Sequence, residues 1–310
     1  MKKIAVWLLM AAAWQLAAYE YFVESGDYRI KITGKNKHTI RQIIWKKFEV
    51  GTPSGHYGAI VVPKPGKFIG AGHTEGGEEK VLQVKVVCDG KVVTPGKGVE
   101  IKGRKILIDK LSQFANLLFN VRLEITPDGV VESKRFVALA EQNVYAFYAH
   151  IFCFNKSFTD FSALSDDGKI VKGKFALPKL DKVPKDVKSV KKIWHVRKSV
   201  KYIAEYDAAA GKGVLLYYPE IIKGKFFKST IWEVPYGYMK YYMMTDLPEV
   251  IPSGWESPVY TVILRCFEAE NAEAMQQILP AQAEKLAKVT LPTLNKPVLP
   301  PVYKGSQGNK

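Results

Sequence analysis

Cysteine is scarce in this sequence of 310 residues: only Cys88, Cys153 and Cys266 are present. An odd, widely spaced set excludes the dense, even framework of a disulfide-stapled scaffold. Each cysteine lies in an apolar strand-like run (VVCDG, IFCFN, LRCFE) and reads as a buried thiol, with a single bridge as the alternative. No Cys-x-x-Cys or His-x-x-x-His spacing marks a structural zinc. A Gly-x-Ser-x-Gly elbow, a P-loop and a Rossmann fingerprint are also missing, so neither a cofactor nor a metal is expected. Helix signals are nearly absent before residue 271. After the N-terminus no run approaches the ~20 apolar residues that span a bilayer. Acids are under-represented, with 30 Asp and Glu against 46 Lys and Arg, for a net charge of +16.

What is present begins with an export pattern. Lys2 and Lys3 precede the apolar run IAVWLLMAAAW and the small-residue stretch Leu16-Ala17-Ala18. This predicts a signal peptide over residues 1–18 and a periplasmic or extracellular mature chain. A membrane anchor is the competing reading, but the run is short and breaks at Gln15. The remainder stays strongly basic, which steers an exported protein toward polyanions. Outside the cytoplasm these are acidic polysaccharides or oligosaccharides rather than nucleic acid. Solubility alone is the plainer explanation of the charge.

Strand signals fill the chain. YRIKI at 28–32, KVLQVKVV at 80–87 and NVRLEIT at 120–126 alternate apolar and polar residues. NVYAFYAHIFCF at 143–154, GVLLYYP at 213–219 and PVYTVILRCFEAE at 258–270 are longer apolar β runs. Asp89-Gly90, Asp128-Gly129 and Asp167-Gly168 are strong hairpin signals between them. The pattern predicts an all-β fold, a large sandwich spanning 19–290 as one domain, with a short C-terminal helical segment. NAEAMQQILPAQAEKLAKV at 271–289 reads as a short helix or two interrupted by Pro280, and the Pro-rich 291–310 as an extended tail. Residues 177–201, with eight lysines besides Arg197, read as a linker or an exposed basic loop.

The run LEITPDGVVESKRFVALAEQNVYAFYAHIFCF, then FTDFSAL, SDDGKIVKGKF and the closing strand YTVILRCFEAE, resembles the galactose mutarotase-like β-supersandwich proteins. The resemblance implies a β-supersandwich and a sugar-related role of epimerase or lyase type. Family epimerases use a His acid and a Glu base, but no position here carries over residue by residue.

Four groups of residues are candidate sites. In GKFIGAGHTEGGEEK, His73 with Glu75, or with Glu78 or Glu79, offers an acid–base pair among glycines, and His56 and Tyr57 lie in a similar upstream turn. The alternative is a solvated polar loop. In the run at 143–154, strand alternation predicts that Tyr148 and His150 share a face and form an acid–base pair. Core aromatics with a hydrogen-bonded histidine are the alternative. Alternation likewise predicts that His195 and Arg197 project together as an acidic-sugar subsite, against a simply solvated strand. Finally Trp232, Tyr236, Tyr238, Lys240 and Tyr241 read as a sugar-stacking surface, against a satellite apolar cluster. The expected function is an exported protein that binds or processes an acidic glycan. A non-catalytic glycan-binding or envelope protein is the alternative.

Overall fold

The computed structural model describes residues 20–300, except 36, 54, 56, 73–78, 178, 181–190, 192, 221–225, 235–237 and 246–248, and gives residues 226–230 and 238–245 as backbone only. The expected all-β class is correct: the described residues form two large sheets and one helix.

One sheet is built from β1 (Glu20–Ser25), β2 (Tyr28–Thr33), β3 (Thr39–Trp45), β4 (Phe48–Gly51), β5 (Gly58–Pro63) and β6 (Ile69–Ala71). The second starts with β7 (Lys80–Cys88) and β8 (Lys91–Val93); β9 (Glu100–Lys102) returns to the first. Then β10 (Ile106–Phe114), β11 (Leu117–Thr126) and β12 (Gly129–Ala138) run as a meander in the second sheet. The long β13 (Gln142–Asn155) crosses back to the first sheet, and β14 (Asp160–Ser165) with β15 (Ile170–Lys174) forms a hairpin at one edge of the second. β16 (Ile193–Lys198) joins the first sheet, and β17 (Val200–Asp207) and β18 (Lys212–Tyr217) the second. β19 (Phe226–Glu233), β20 (Tyr238–Thr245) and β21 (Val250–Ile251) complete the first, and β22 (Tyr260–Glu268) the second. The main path of the first sheet runs β16-β19-β20-β13-β4-β3-β2-β1-β9, and the second runs β15-β14-β17-β18-β22-β12-β11-β10-β7-β8.

The Asp-Gly pairs do what hairpin chemistry requires: Asp89-Gly90, Asp128-Gly129 and Asp167-Gly168 close the β7–β8, β11–β12 and β14–β15 hairpins. Between the sheets lies one continuous core. At its centre Phe114, Phe119, Phe136 and Phe147 meet edge-on or stacked, with Phe136 and Phe147 centroids 4.9 Å apart, and Tyr260 packs tilted against Phe136 and Phe147.

The C-terminal segment is a single helix, α1 (Ala272–Ala287), rather than two. Asn271 caps it, accepting from the Ala274 amide at 2.8 Å, and Pro280 sits inside it. Its apolar face, Met275, Leu279 and Leu286, covers Tyr202, Ala204, Tyr206 and Leu215 on the outer side of β17 and β18. Packing of this stripe supplies what Pro280 removes from the helical hydrogen bonding. Beyond it, residues 290–300 run extended as a strap: the carbonyls of Thr293 and Asn295 accept from Arg122 and Asn120, each at 3.0 Å.

Two thiols, Cys153 and Cys266, are buried as expected. Cys88 is only half-buried, its thiol donating to the Lys102 carbonyl at 3.3 Å, and among the described residues none of the three is in a disulfide. Among the described residues no helix is long and apolar enough to cross a membrane, and no three acidic, His or Cys side chains are grouped to hold a metal ion.

Candidate functional site: an aromatic platform backed by buried carboxylates

β16 is the edge strand of the first sheet, paired antiparallel with β19 so that Trp194 faces Trp232 and His195 faces Ile231. Alternation puts Trp194 and Trp232 on the outer face and Ile231 inside. The two indoles stack at 5.2 Å with planes 15° apart, and Trp194 remains 43% exposed. The Arg197 guanidinium lies 5.7 Å above the Trp194 ring. The result is a stacked, partly exposed aromatic pair with a cation over the Trp194 ring.

His195 and Arg197 therefore do not project together, contrary to strand alternation. Val196 takes φ +51°, left-handed backbone that a β-branched residue rarely adopts, and the pairing slips between His195 and Lys198. The bulge turns Val196 into the core and leaves Arg197 outside with Trp194. His195 points between the sheets, its ring 4.7 Å from Phe161 and 5.7 Å from Phe175.

Behind the platform the interior carries charge. His195 Nε2 and Glu233 Oε2 are 2.8 Å apart, and Glu233 Oε1 accepts from the Leu177 amide at 2.7 Å. Opposite, on β17, Glu205 is fully buried, and neither carboxyl oxygen is hydrogen-bonded among the described residues. Burial, with the nearby Glu233 charge adding to it, pushes the Glu205 carboxyl up to about 8, although Lys179 pulls the other way. Lys179 is itself pushed down by burial. A protonated, unpartnered carboxyl thus sits beside a histidine–carboxylate pair, a combination typical of sites that move protons. Neither Glu205 nor Glu233 stood out in the sequence. IAEYD and TIWEV are strand runs in which one acid occupies an inward position, and the only local signal is that broken alternation.

The Tyr148–His150 expectation also needs correction. β13 is bulged twice, between Val144 and Ala146 against β5 and between Tyr148 and His150 against β20. Phe147 and His150 both face the second sheet, so the extra residue separates Tyr148 from His150. His150 is fully buried, with Nδ1 2.9 Å from Glu132 Oε2 and Nε2 3.1 Å from the Tyr260 carbonyl. Those two acceptors suit an imidazolium, but burial and the charge of Lys134 push the ring's pKa down. Lys134 donates to the Gly58 carbonyl at 2.9 Å and lies 3.3 Å from Glu132. Burial alone would raise the Glu132 carboxyl; Lys134 and the bond from His150 outweigh it and hold it at about 2. This is a satisfied interior network, the hydrogen-bonded-core alternative for His150.

His73, Glu75, Glu78, His56 and Tyr236 lie outside the described residues, as do the side chains of Tyr238, Lys240 and Tyr241. The β20 backbone sets position 240 in register with Trp232 and position 241 with Ile231. Tyr57 is not a ligand surface: it is buried, and its hydroxyl is within bonding distance of the Cys153 carbonyl at 2.7 Å and the Thr52 carbonyl at 3.0 Å. Nor is Glu79 a free base. It is buried, accepts from Lys110 Nζ at 2.7 Å, and accepts from the Gly72 amide across the base of segment 73–78. Gly72 has φ +79°, and a Cβ there would come within 2.6 Å of Thr39 Oγ1, so only glycine fits this turn.

No known protein family and no curated protein matches the chain by sequence. Solved structures with a similar layout include the Slr1438 protein of Synechocystis sp. PCC 6803 (TM-score 0.49, 8% identity, 81% of this chain and 96% of that one). A galactose mutarotase-like protein from Clostridium acetobutylicum gives TM-score 0.44 and 11% identity, over 79% and 94%. The α-galactosidase AgaA of Geobacillus stearothermophilus gives 0.47 and 8%, over 83% of this chain and 42% of its own. Galactose mutarotase-like proteins, which the strand pattern resembles, are thus among the matches. At these scores the likeness is one of layout, and no activity or residue role passes along it.

Proposed function

We propose that this is an exported glycan-recognition protein that binds acidic polysaccharide or oligosaccharide chains at the Trp194–Trp232–Arg197 platform. The observation that supports this reading is the stacked, partly exposed indole pair with a guanidinium over the Trp194 ring. Flat indoles suit the C–H faces of sugar rings, and Arg suits a carboxylate or sulfate. The strongly basic composition favours an anionic chain as partner.

Acid–base processing of the same glycan is the second reading, and Glu205 favours it. A carboxyl raised to about 8 beside Glu233 and His195 is poised to give up a proton near neutral pH. The first reading ranks higher because these groups lie inside the sandwich while the platform lies outside.

The test is binding of the exported chain to acidic and neutral polysaccharides at low and high salt, alongside Trp194→Ala. Salt-sensitive binding to acidic chains, weakened at least tenfold in the variant, is the expected result. Appearance of an unsaturated or epimerised sugar would promote the second reading. No binding to any glycan would end both.

A further inference from the structure

A concave surface lies on the outer face of the other sheet. It is a groove of about 450 Å³ between β7, β10, β11 and the C-terminal strap. Its floor is a grid set by strand register: Lys85, Asp109 and Arg122 in one row, Gln83, Leu111 and Asn120 in the next. Neighbouring strands lie ~4.8 Å apart and alternate residues ~7 Å apart, so the grid measures roughly 10 by 7 Å. That is the footprint of one six-membered sugar ring.

The polar groups of the grid divide into fixed and free. Arg122 is committed, with Nε and Nη2 on the two Asp109 oxygens at 2.6 and 3.0 Å and Nη1 on the Thr293 carbonyl. Asn120 Nδ2 is committed to the Asn295 carbonyl, which holds the strap as a wall. The Asn120 amide oxygen, the Gln83 amide and the Lys85 ammonium make no hydrogen bond among the described residues. The groove thus offers donors and acceptors side by side around an apolar Leu111 floor, with Asp109 held in place.

We propose that this groove is a saccharide site that takes a single pyranose ring through its hydroxyls. A hydroxyl both donates and accepts, so it matches a mixed set of amides, carboxylate and ammonium. A simple anion fits poorly, because Asp109 repels it and Arg122 is already spent. A protein partner would need a larger apolar patch than Leu111 supplies. The site stands on its own residues, on the opposite sheet from the Trp194 platform, and does not depend on that platform binding glycan.

Saturation-transfer NMR and titration of the full chain with methyl glucoside, methyl galactoside and methyl glucuronide test it. The comparison set is the double variant Gln83→Ala/Lys85→Ala and the single variant Trp194→Ala. Both altered β7 side chains are exposed and make no internal bond, so the melting temperature should not move. At least one pyranoside should bind, weaken tenfold or more in the double variant, and bind Trp194→Ala as tightly as the parent. Binding that survives the double variant overturns the proposal, as does binding lost only in Trp194→Ala. Displacement of the sugar by equimolar acetate would mark an anion site and overturn it too. So would absence of binding by all three pyranosides.

Discussion

Two groups of charges are buried between the same two sheets, and they are built on opposite principles. At the centre, Lys110 is bonded to Glu79 and Thr39, and Lys134 and His150 converge on Glu132. Every charge there faces a partner, around a cavity of about 20 Å³, room for one water. At the β16–β19 end, His195 and Glu233 are paired, but Glu205 across from them has no hydrogen bond among the described residues. A paired cluster repays its desolvation and fixes the register of the sheets it joins. An unpaired carboxyl of equal burial stays protonated and stores unfavourable energy, which a protein tolerates mostly where the group has work to do.

The sharpest way to break this contrast is to remove one partner at the centre. Lys110→Met leaves Glu79 buried with only the Gly72 amide, and should cost about 3–5 kcal/mol. Urea denaturation reads it directly. A loss under ~1 kcal/mol would mean that water already reaches Glu79, and the centre would no longer differ in kind from the end.

The two ends also respond to pH with opposite sign. Glu132 is held at about 2, below its ordinary 4.5, so its contribution is present above 4.5 and is lost as pH falls toward 2. Glu205 is raised to about 8, so the native state keeps a proton that the unfolded chain gives up near 4.5. Its contribution is full below 4.5 and is lost as pH rises through 8. Between those limits each pH unit costs about 1.4 kcal/mol. Glu205→Gln removes that slope, so at pH 7 the variant should be more stable by roughly 3 kcal/mol, two and a half pH units above 4.5, and at pH 4 equal to the parent. Parallel pH–stability curves for the two proteins would show that Glu205 finds water or a partner in solution.

These contrasts explain what the sequence disclosed and what it hid. Strand positions were legible because period-two alternation and Asp-Gly turns are local: YRIKI, KVLQVKVV and NVRLEIT all lie in strands. The side-chain faces were hidden wherever a bulge intervened. One extra residue in β13 parts Tyr148 from His150, and left-handed Val196 parts His195 from Arg197. A bulge answers to the partner strand, and the partner is distant in sequence. The central network left a trace in Glu132 and Lys134, two positions apart and hence on one face of β12. Glu205 left almost none, because its raised carboxyl is a product of burial between the sheets.

The smallest effect discriminates most finely between recognition and catalysis. His195→Gln keeps a donor near Glu233 and loses the ring contacts to Phe161 and Phe175, so stability should fall by only about 1 kcal/mol. His195 faces inward and Trp194 outward on adjacent positions of one strand. If the outer face alone meets glycan, His195→Gln binds acidic polysaccharide as the parent does, while Trp194→Ala loses tenfold or more. If binding instead drops in both variants while both remain folded at the assay temperature, the ligand reaches around the β16 edge to the inner face. The unpaired Glu205 would then lie within reach of the sugar, and the acid–base reading would displace simple recognition.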